Sequence, residues 1–314
     1  MVAAPKIHST VNWWRRGRLW LCAAAMGAAV ASCAPAQLAF AAPKQTLTIS
    51  PVSAALSLNP GARYQGTMTV ANQGNSPATM TFYVSPYFVT GEQYSPIFSH
   101  VDQAVRADTW VHVTPQAATV APQGVVTLNY TVSPPANARP GGYYAAVFAQ
   151  ASSGVAGGGT VGFSQRAGEI LYITVNGPAT YAGDAQFSGL PALVSSVTLS
   201  SSISVHNAGS VHFQAQEQWS AAPIFGGLVD SIKKTVYVLP GTTRQVTAAL
   251  SLRPYFGVGV YKVTRTATFL NRTTQNAALV VAINPAWALI LTAGIIASLL
   301  IRYKHVRHAR GRHV

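Results

Sequence analysis

Between Thr46 and Ile283 the chain alternates apolar and polar residues in short runs separated by turn residues. Tyr64, Gly66, Met68 and Val70 share one face of 63–71, and the turn Gln73-Gly74-Asn75-Ser76-Pro77 follows. Met80, Phe82 and Val84 repeat the pattern in 79–85, Val126, Leu128, Tyr130 and Val132 in 126–132, and further runs occupy 144–149 and 170–175. The second half repeats the plan. Runs at 197–205 and 211–219 flank Asn207-Ala208-Gly209-Ser210; 235–239 leads into Pro240-Gly241-Thr242-Thr243; then come 244–252, 261–269 and 277–283. Period-two alternation over five to eight residues, punctuated by Gly, Pro and Asn, marks half-buried antiparallel strands. About seven runs in each half predict an all-β chain of two tandem immunoglobulin-like β-sandwiches, at 42–177 and 178–284. Asn176-Gly177-Pro178 breaks the strand between them. No sustained helical stripe falls between Pro43 and Asn284.

Two connections interrupt the alternation. Residues 86–105 carry Tyr87, Phe88, Tyr94 and Phe98 without a period, and 152–159 read SSGVAGGG. Long loops on a rigid scaffold suit recognition, whereas loop aromatics more often pack onto the core. The second of these roles is expected for 86–105.

At both ends the pattern changes to continuous apolar runs. Residues 285–301 (PAWALILTAGIIASLLI) contain no charge. As a helix they cover roughly 26 Å, close to the ~30 Å of a hydrocarbon core. Trp287 suits one headgroup layer, Ile295 and Leu300 the lipid interior, and Arg302 opens the basic stretch 302–314. Such a stretch is retained on the cytoplasmic side, which predicts one transmembrane helix with the preceding domains outside. A buried core helix is the competing reading. Asn284 and Pro285 alone separate the last predicted strand from the span, so the second sandwich is expected to sit at the membrane.

The first 41 residues show a secretory leader: Arg15, Arg16 and Arg18, the apolar stretch 19–34, and Ala39-Phe40-Ala41, with cleavage between Ala41 and Ala42. Val30-Ala31-Ser32-Cys33 offers a lipobox in competition, with Cys33 lipidated, and uncleaved retention as a second span is the third alternative. Arg15-Arg16 hints weakly at twin-arginine export.

Charge changes the picture only until it is located. The formal charge is +14, and Lys6, Arg15, Arg16, Arg18, Arg302, Lys304, Arg307, Arg310 and Arg312 lie in the two terminal regions. The stretch between Ala42 and Asn284 keeps 12 Lys/Arg against 7 Asp/Glu. That mild excess is no nucleic-acid footprint, though it favours anionic wall polymers. Both cysteines, Cys22 and Cys33, belong to the leader region, so the sandwiches have neither a disulfide framework nor a thiolate metal site.

Catalytic patterns are missing from the sequence. Glu92, Asp102, Asp108, Glu169, Asp184, Glu217 and Asp230 are scattered, and no serine stands in a G-x-S-x-G or S-x-x-K context. His206 and His212 would face each other across the Asn207–Ser210 turn, where a metal pair competes with the commoner turn-stabilising role. His100 and His112 are single. The glycines of 154–159 precede no lysine or helix and make no phosphate loop. No cofactor is expected.

One stretch is more specific than alternation. Pro134–Val147 reads PPANARPGGYYAAV: Pro140 fixes φ, and Gly141-Gly142 allow a corner before two stacked tyrosines enter a sheet. Together with TLTISP, RYQGTMTVANQGNSPATMTFYV, WVHVTP and GEILYITVNG, it resembles the WxL-interacting proteins of bacterial surfaces. The turns around Asn207 and Pro240 resemble that family's second domain. The resemblance implies a peptidoglycan-binding first domain, a second domain associated with host components, and a WxL-type surface protein as partner. The leading expectation is therefore a non-catalytic, membrane-anchored surface protein binding wall polymer or a partner protein. The alternative is an assembly factor like the pilus chaperones, which lend a sheet edge to a client. An enzyme is the third reading.

Overall fold

The computed structural model describes residues 46–152, 164–226, 229–253 and 257–310. The leader with its processing sites at Ala41/Ala42 and Cys33, and nearly all of the 152–159 link, lie outside the described residues.

The first sandwich uses β1 (Leu47–Ser50), β2 (Ser53–Leu58), β3 (Tyr64–Asn72), β4 (Ala78–Pro86), a short hairpin of β5 (Phe88–Thr90) and β6 (Ser95–Ile97), then β7 (Val111–Thr114), β8 (Ala117–Val120), β9 (Val125–Val132), β10 (Gly141–Ser152) and β11 (Ser164–Val175). One sheet runs β1-β3-β9-β7 and the other β2-β11-β10-β4-β8. The inward residues of the predicted strands, Met68, Val70, Met80, Phe82, Leu128, Tyr130 and Val132, form the core with Leu171, Ile173 and Val175. The second sandwich uses β12 (Gly183–Phe187), β13 (Leu193–Val194), β14 (Thr198–Asn207), β15 (Phe213–Pro223), β16 (Asp230–Val238), β17 (Thr243–Ser251), β18 (Val258–Phe269) and β19 (Arg272–Ile283). Its sheets run β12-β14-β17 and β13-β19-β18-β15-β16, around a core that includes Trp219, Ile203, Leu250 and Val263.

The two predicted turns are built alike. Asn72 is buried; its amide donates to the carbonyls of Ser76, Val120 and Ala121, and its Oδ1 accepts from Gly74 N. Asn207 is also buried, donating to Val211 O and Val238 O and accepting from Gly209 N. In both, Asn-x-Gly satisfies backbone groups that a β-turn would otherwise bury unpaired.

Two local expectations change. Tyr143 and Tyr144 do not stack on each other, because consecutive strand residues point to opposite faces. Tyr143 enters the first core beside Trp110, and Tyr144 is buried on the outer face of the sheet. The aperiodic 86–105 is not one open loop: the β5–β6 hairpin and a 3-10 turn at Gln103–Val105 fold it over that outer face.

That face joins the two sandwiches into one compact unit. Tyr87, Tyr144, Phe148 and Tyr172 of the first meet Leu239 and Tyr237 of the second, with Tyr172 stacked on Tyr237 at 4.1 Å. Gly142 N donates to Ser210 O and Gln245 N to Glu92 O. Tyr94 of the hairpin turn accepts from Leu239 N, bonds the Thr242 hydroxyl, and lies under the Arg244 guanidinium. Gly177, in the connection between the sandwiches, has φ +144°, and any Cβ there would overlap the Pro140 ring. The Asn-Gly-Pro break is therefore a fixed corner.

The predicted terminal helix is present as α1 (Pro285–Arg310), longer than expected because it continues through the first basic residues. Among the described residues no helix is long and apolar enough to cross a membrane. Of the residues predicted to anchor the chain, Trp287, Ile295, Leu300 and Arg302 all lie on α1 and are exposed.

Candidate partner-binding edge

β11 is a long strand whose two edges are treated differently. On one side all of it, from Ser164 to Val175, pairs antiparallel with β10. On the other, β2 pairs with it in parallel over Ile170–Val175 only. Residues 164–169 therefore have a ladder partner on one side alone, the arrangement that allows another strand to add. The direction of the free groups follows from register. Ile170 N donates to Val52 O on the β2 side. With a period of two, Gly168 and Arg166 direct their backbone N–H and C=O to that same side, where β1 runs close by but, among the described residues, no strand pairs with them.

The side chains of this half-strand divide by face. Gln165, Ala167 and Glu169 point inward. Glu169 is fully buried; its Oε1 accepts from the Tyr130 hydroxyl at 3.2 Å, whereas Glu169 Oε2 and Gln165 Oε1 have no hydrogen-bond partner. Burial pushes the Glu169 carboxyl up to about 7, against the smaller lowering effect of the Tyr130 bond, and burial also raises the Tyr130 phenol. Outward, the Arg166 guanidinium lies 4.9 Å from the Phe148 ring centre and 5.1 Å from that of Phe98, a cation–π shelf that stiffens the edge. Phe98 itself meets Phe148 edge-on at 4.9 Å. The loop aromatics thus pack, and by packing they brace β10 and β11 from outside.

The expected histidine pair does not form. His206 lies on β14, opposite Asp184, with Nδ1 3.0 Å from the Thr243 hydroxyl. His212 follows the turn and is buried among Tyr144, Tyr172 and Tyr237, with Nδ1 3.4 Å from the Tyr144 hydroxyl. Burial lowers it to about 4, so it is neutral at pH 7. The turn between them bends the two side chains to different sides, one along a sheet and one into the seam between the sandwiches.

The acids are placed for structure. Asp108 is paired with Arg106 at 2.7 Å, and that bond holds its carboxyl below the ordinary range. Asp230 accepts from Ser251 N. Glu217 is fully buried in the second core, neither carboxyl oxygen has a partner, and burial pushes it up to about 8, against the nearby charges of Arg244 and Lys234. Among the described residues no group of three or more His, Cys, Asp or Glu is placed to hold a metal ion. Two shallow hollows, of about 450 and 230 Å³, lie between β4 and β7 and beside Asp184 and His206.

No protein-family model and no curated protein sequence matches the chain. Among solved structures it is similar to the class 5 fimbriae chaperone CfaA, with a TM-score of 0.38 and 10% identity over 75% of this chain and 99% of that one. The Salmonella enterica SafB chaperone, solved with the SafA pilin, gives 0.38 and 12% over 77% and 98%. The E. coli chaperone DraB gives 0.37 and 14% over 74% and 98%. Scores at this level carry neither the family nor the function across.

Proposed function

We propose that this is a non-catalytic binding protein that takes an extended segment of a partner protein as an added strand along 164–169 of β11, and that α1 holds it at a membrane. The single observation behind the first part is that β2 stops pairing at Ile170 and leaves the remaining half of β11 with an open edge. Two unpartnered inward acceptors, Gln165 Oε1 and Glu169 Oε2, stand on the same half-strand. Strand addition supplies backbone bonds to the edge. This reading favours the assembly-factor alternative over wall-polymer binding, for which the sandwiches offer no observation of their own. The membrane part is supported by the exposed apolar side chains of Leu289, Ile290, Ile295, Ile296, Leu299, Leu300 and Ile301. At 3.6 residues per turn they spread around roughly two-thirds of the circumference, more than one packed protein face would cover.

Replacing Arg166 tests the edge without touching the β10 ladder. Arg166→Pro removes the free N–H that an added strand needs, at a position where edge strands tolerate proline. Arg166→Ala keeps that N–H and removes only the cation–π shelf. A photocrosslinker at Ala167 in the full chain, expressed in the producing cell, should trap a protein partner. The same crosslink should vanish with Arg166→Pro and persist with Arg166→Ala. Equal crosslinking in both variants, or retention on purified peptidoglycan with no protein adduct, would overturn the proposal.

A further inference from the structure

The second sandwich has two ends of different character. At one, the turn after β14, the turn after β16 and the start of β15 meet the first sandwich, and His212 and Leu239 are buried there. At the other, the chain leaves for α1. Val258 is in register with Ile283, Asn284 N donates to Gly257 O, and Gly257 packs so closely under Trp287 that a Cβ would come within 2.5 Å of its side chain. The end of β15 and the start of β16 lie at this same end, because Ile224 N donates to Val260 O and Ala221 pairs with Asp230. Ile224 (46% exposed), Phe225 (83%), Val229 (58%) and Val258 (55%) stand out from it.

We propose that this end of the second sandwich is itself a lipid-contacting surface, with Phe225 and Ile224 entering the headgroup layer beside α1. The inference rests on the reading of α1 as a membrane anchor and adds a second point of contact. Continuity argues for lipid as the occupant, since these side chains stand at the end of the sandwich where Gly257, the neighbour of Val258, packs under Trp287 of the exposed helix. Charge agrees. Arg253 and Lys262 are exposed near this end, and Asp230, the acid near it among the described residues, is engaged by Ser251 N. An apolar wedge with a basic rim fits a membrane interface bearing anionic headgroups. Two contacts would hold the sandwich at a fixed tilt on the bilayer, where a helix alone would leave it free to swing.

Three single-cysteine versions of the full chain, on a Cys22→Ala, Cys33→Ala background, test this. Each carries an environment-sensitive fluorophore, at Phe225→Cys, at Ile296→Cys on the helix, or at Arg272→Cys at the far end of the β18–β19 hairpin. They are reconstituted in phosphatidylcholine–phosphatidylglycerol vesicles containing spin-labelled lipid. Quenching at 225 and at 296 should each exceed that at 272 by at least about two-fold. Quenching at 296 with a water-exposed probe at 225 would overturn this inference and leave the anchor reading standing. Water-exposed probes at both sites would overturn the two together.

Discussion

Glu217→Met should stabilise the protein, by about 3 kcal/mol at pH 7, because a buried carboxyl without hydrogen-bond partners is replaced by an apolar side chain of similar length. Both Glu217 oxygens are unpartnered in the second core, and burial pushes the group up to about 8. In the folded protein at pH 7 it is held protonated, while in the unfolded chain it ionises near 4.5. Its contribution is therefore fully present below 4.5 and is lost as pH rises toward 8. Glu169, raised to about 7, acts in the same direction. His212, lowered to about 4, acts in the opposite direction, since its contribution is present above 6.5 and lost as pH falls through 4. In the unfolded chain the His212 imidazole still titrates up to about pH 7.5, so the glutamate slope is read between pH 6.5 and 8 as the difference between wild type and Glu217→Met, in which the histidine cancels. There wild-type stability should fall by about 1.4 kcal/mol per pH unit for each glutamate still protonated in the fold. Denaturant titrations at pH 6.5, 7.25 and 8 read this slope, and Glu217→Met should flatten it. Glu217→Gln should flatten it too, with a smaller gain, because an amide in that core still lacks partners. An unchanged slope in both variants would mean that Glu217 is solvated in the folded protein.

The second large effect is expected at the seam. Tyr144→Ala should cost about 3–5 kcal/mol, the usual range for truncating a fully buried aromatic. It should also split a single thermal transition into two. Tyr144 stands on the outer face of β10, in contact with Phe88, Tyr172 and His212, while the main core of the first sandwich lies on the other side of that sheet. Removing it leaves both inner cores whole and strips the layer between them. Calorimetry of the variant would then show each sandwich melting by itself. One transition merely shifted to lower temperature would place Tyr144 in the stability of the first sandwich and not in the coupling.

Much of this fold was legible in the chain. The alternation of Met68 with Val70, or of Leu128 with Tyr130, names the inward face directly, and the Gly, Asn and Pro residues place the turns, although the buried Asn72 just ahead of the first was not singled out. β10 and β11 were harder because both faces of the sheet they form are covered, so Tyr143–Ala149 is buried throughout and the period disappears. The β5–β6 hairpin was missed because its side chains serve two neighbours, an outer sheet face and the second sandwich, and such residues follow no single period. Of the candidate edge, the sequence shows a strand at 170–175 but not its extension to Ser164, where Ser-Gln-Arg-Ala-Gly carries little apolar signal. An open edge is a property of the neighbours a strand lacks, which no local pattern records. Glu217 was a different case. It stands in the inward series Phe213, Ala215, Glu217, Trp219, Ala221, and that register alone points it into the core.

The connection from β19 into α1 has a mechanical side. β19 pairs with β18 at twelve register positions, from Phe269–Arg272 to Val258–Ile283, and runs straight to the helix through Asn284. A pull on α1 along the strand loads that ladder in shear, with its bonds sharing the force, instead of peeling them one at a time. The β10–β11 hairpin offers the same geometry, with twelve paired positions, to a strand drawn along the open edge. Both attachment points proposed for this protein therefore lie on its longest ladders, where tension between a partner and a membrane meets the greatest resistance to unravelling.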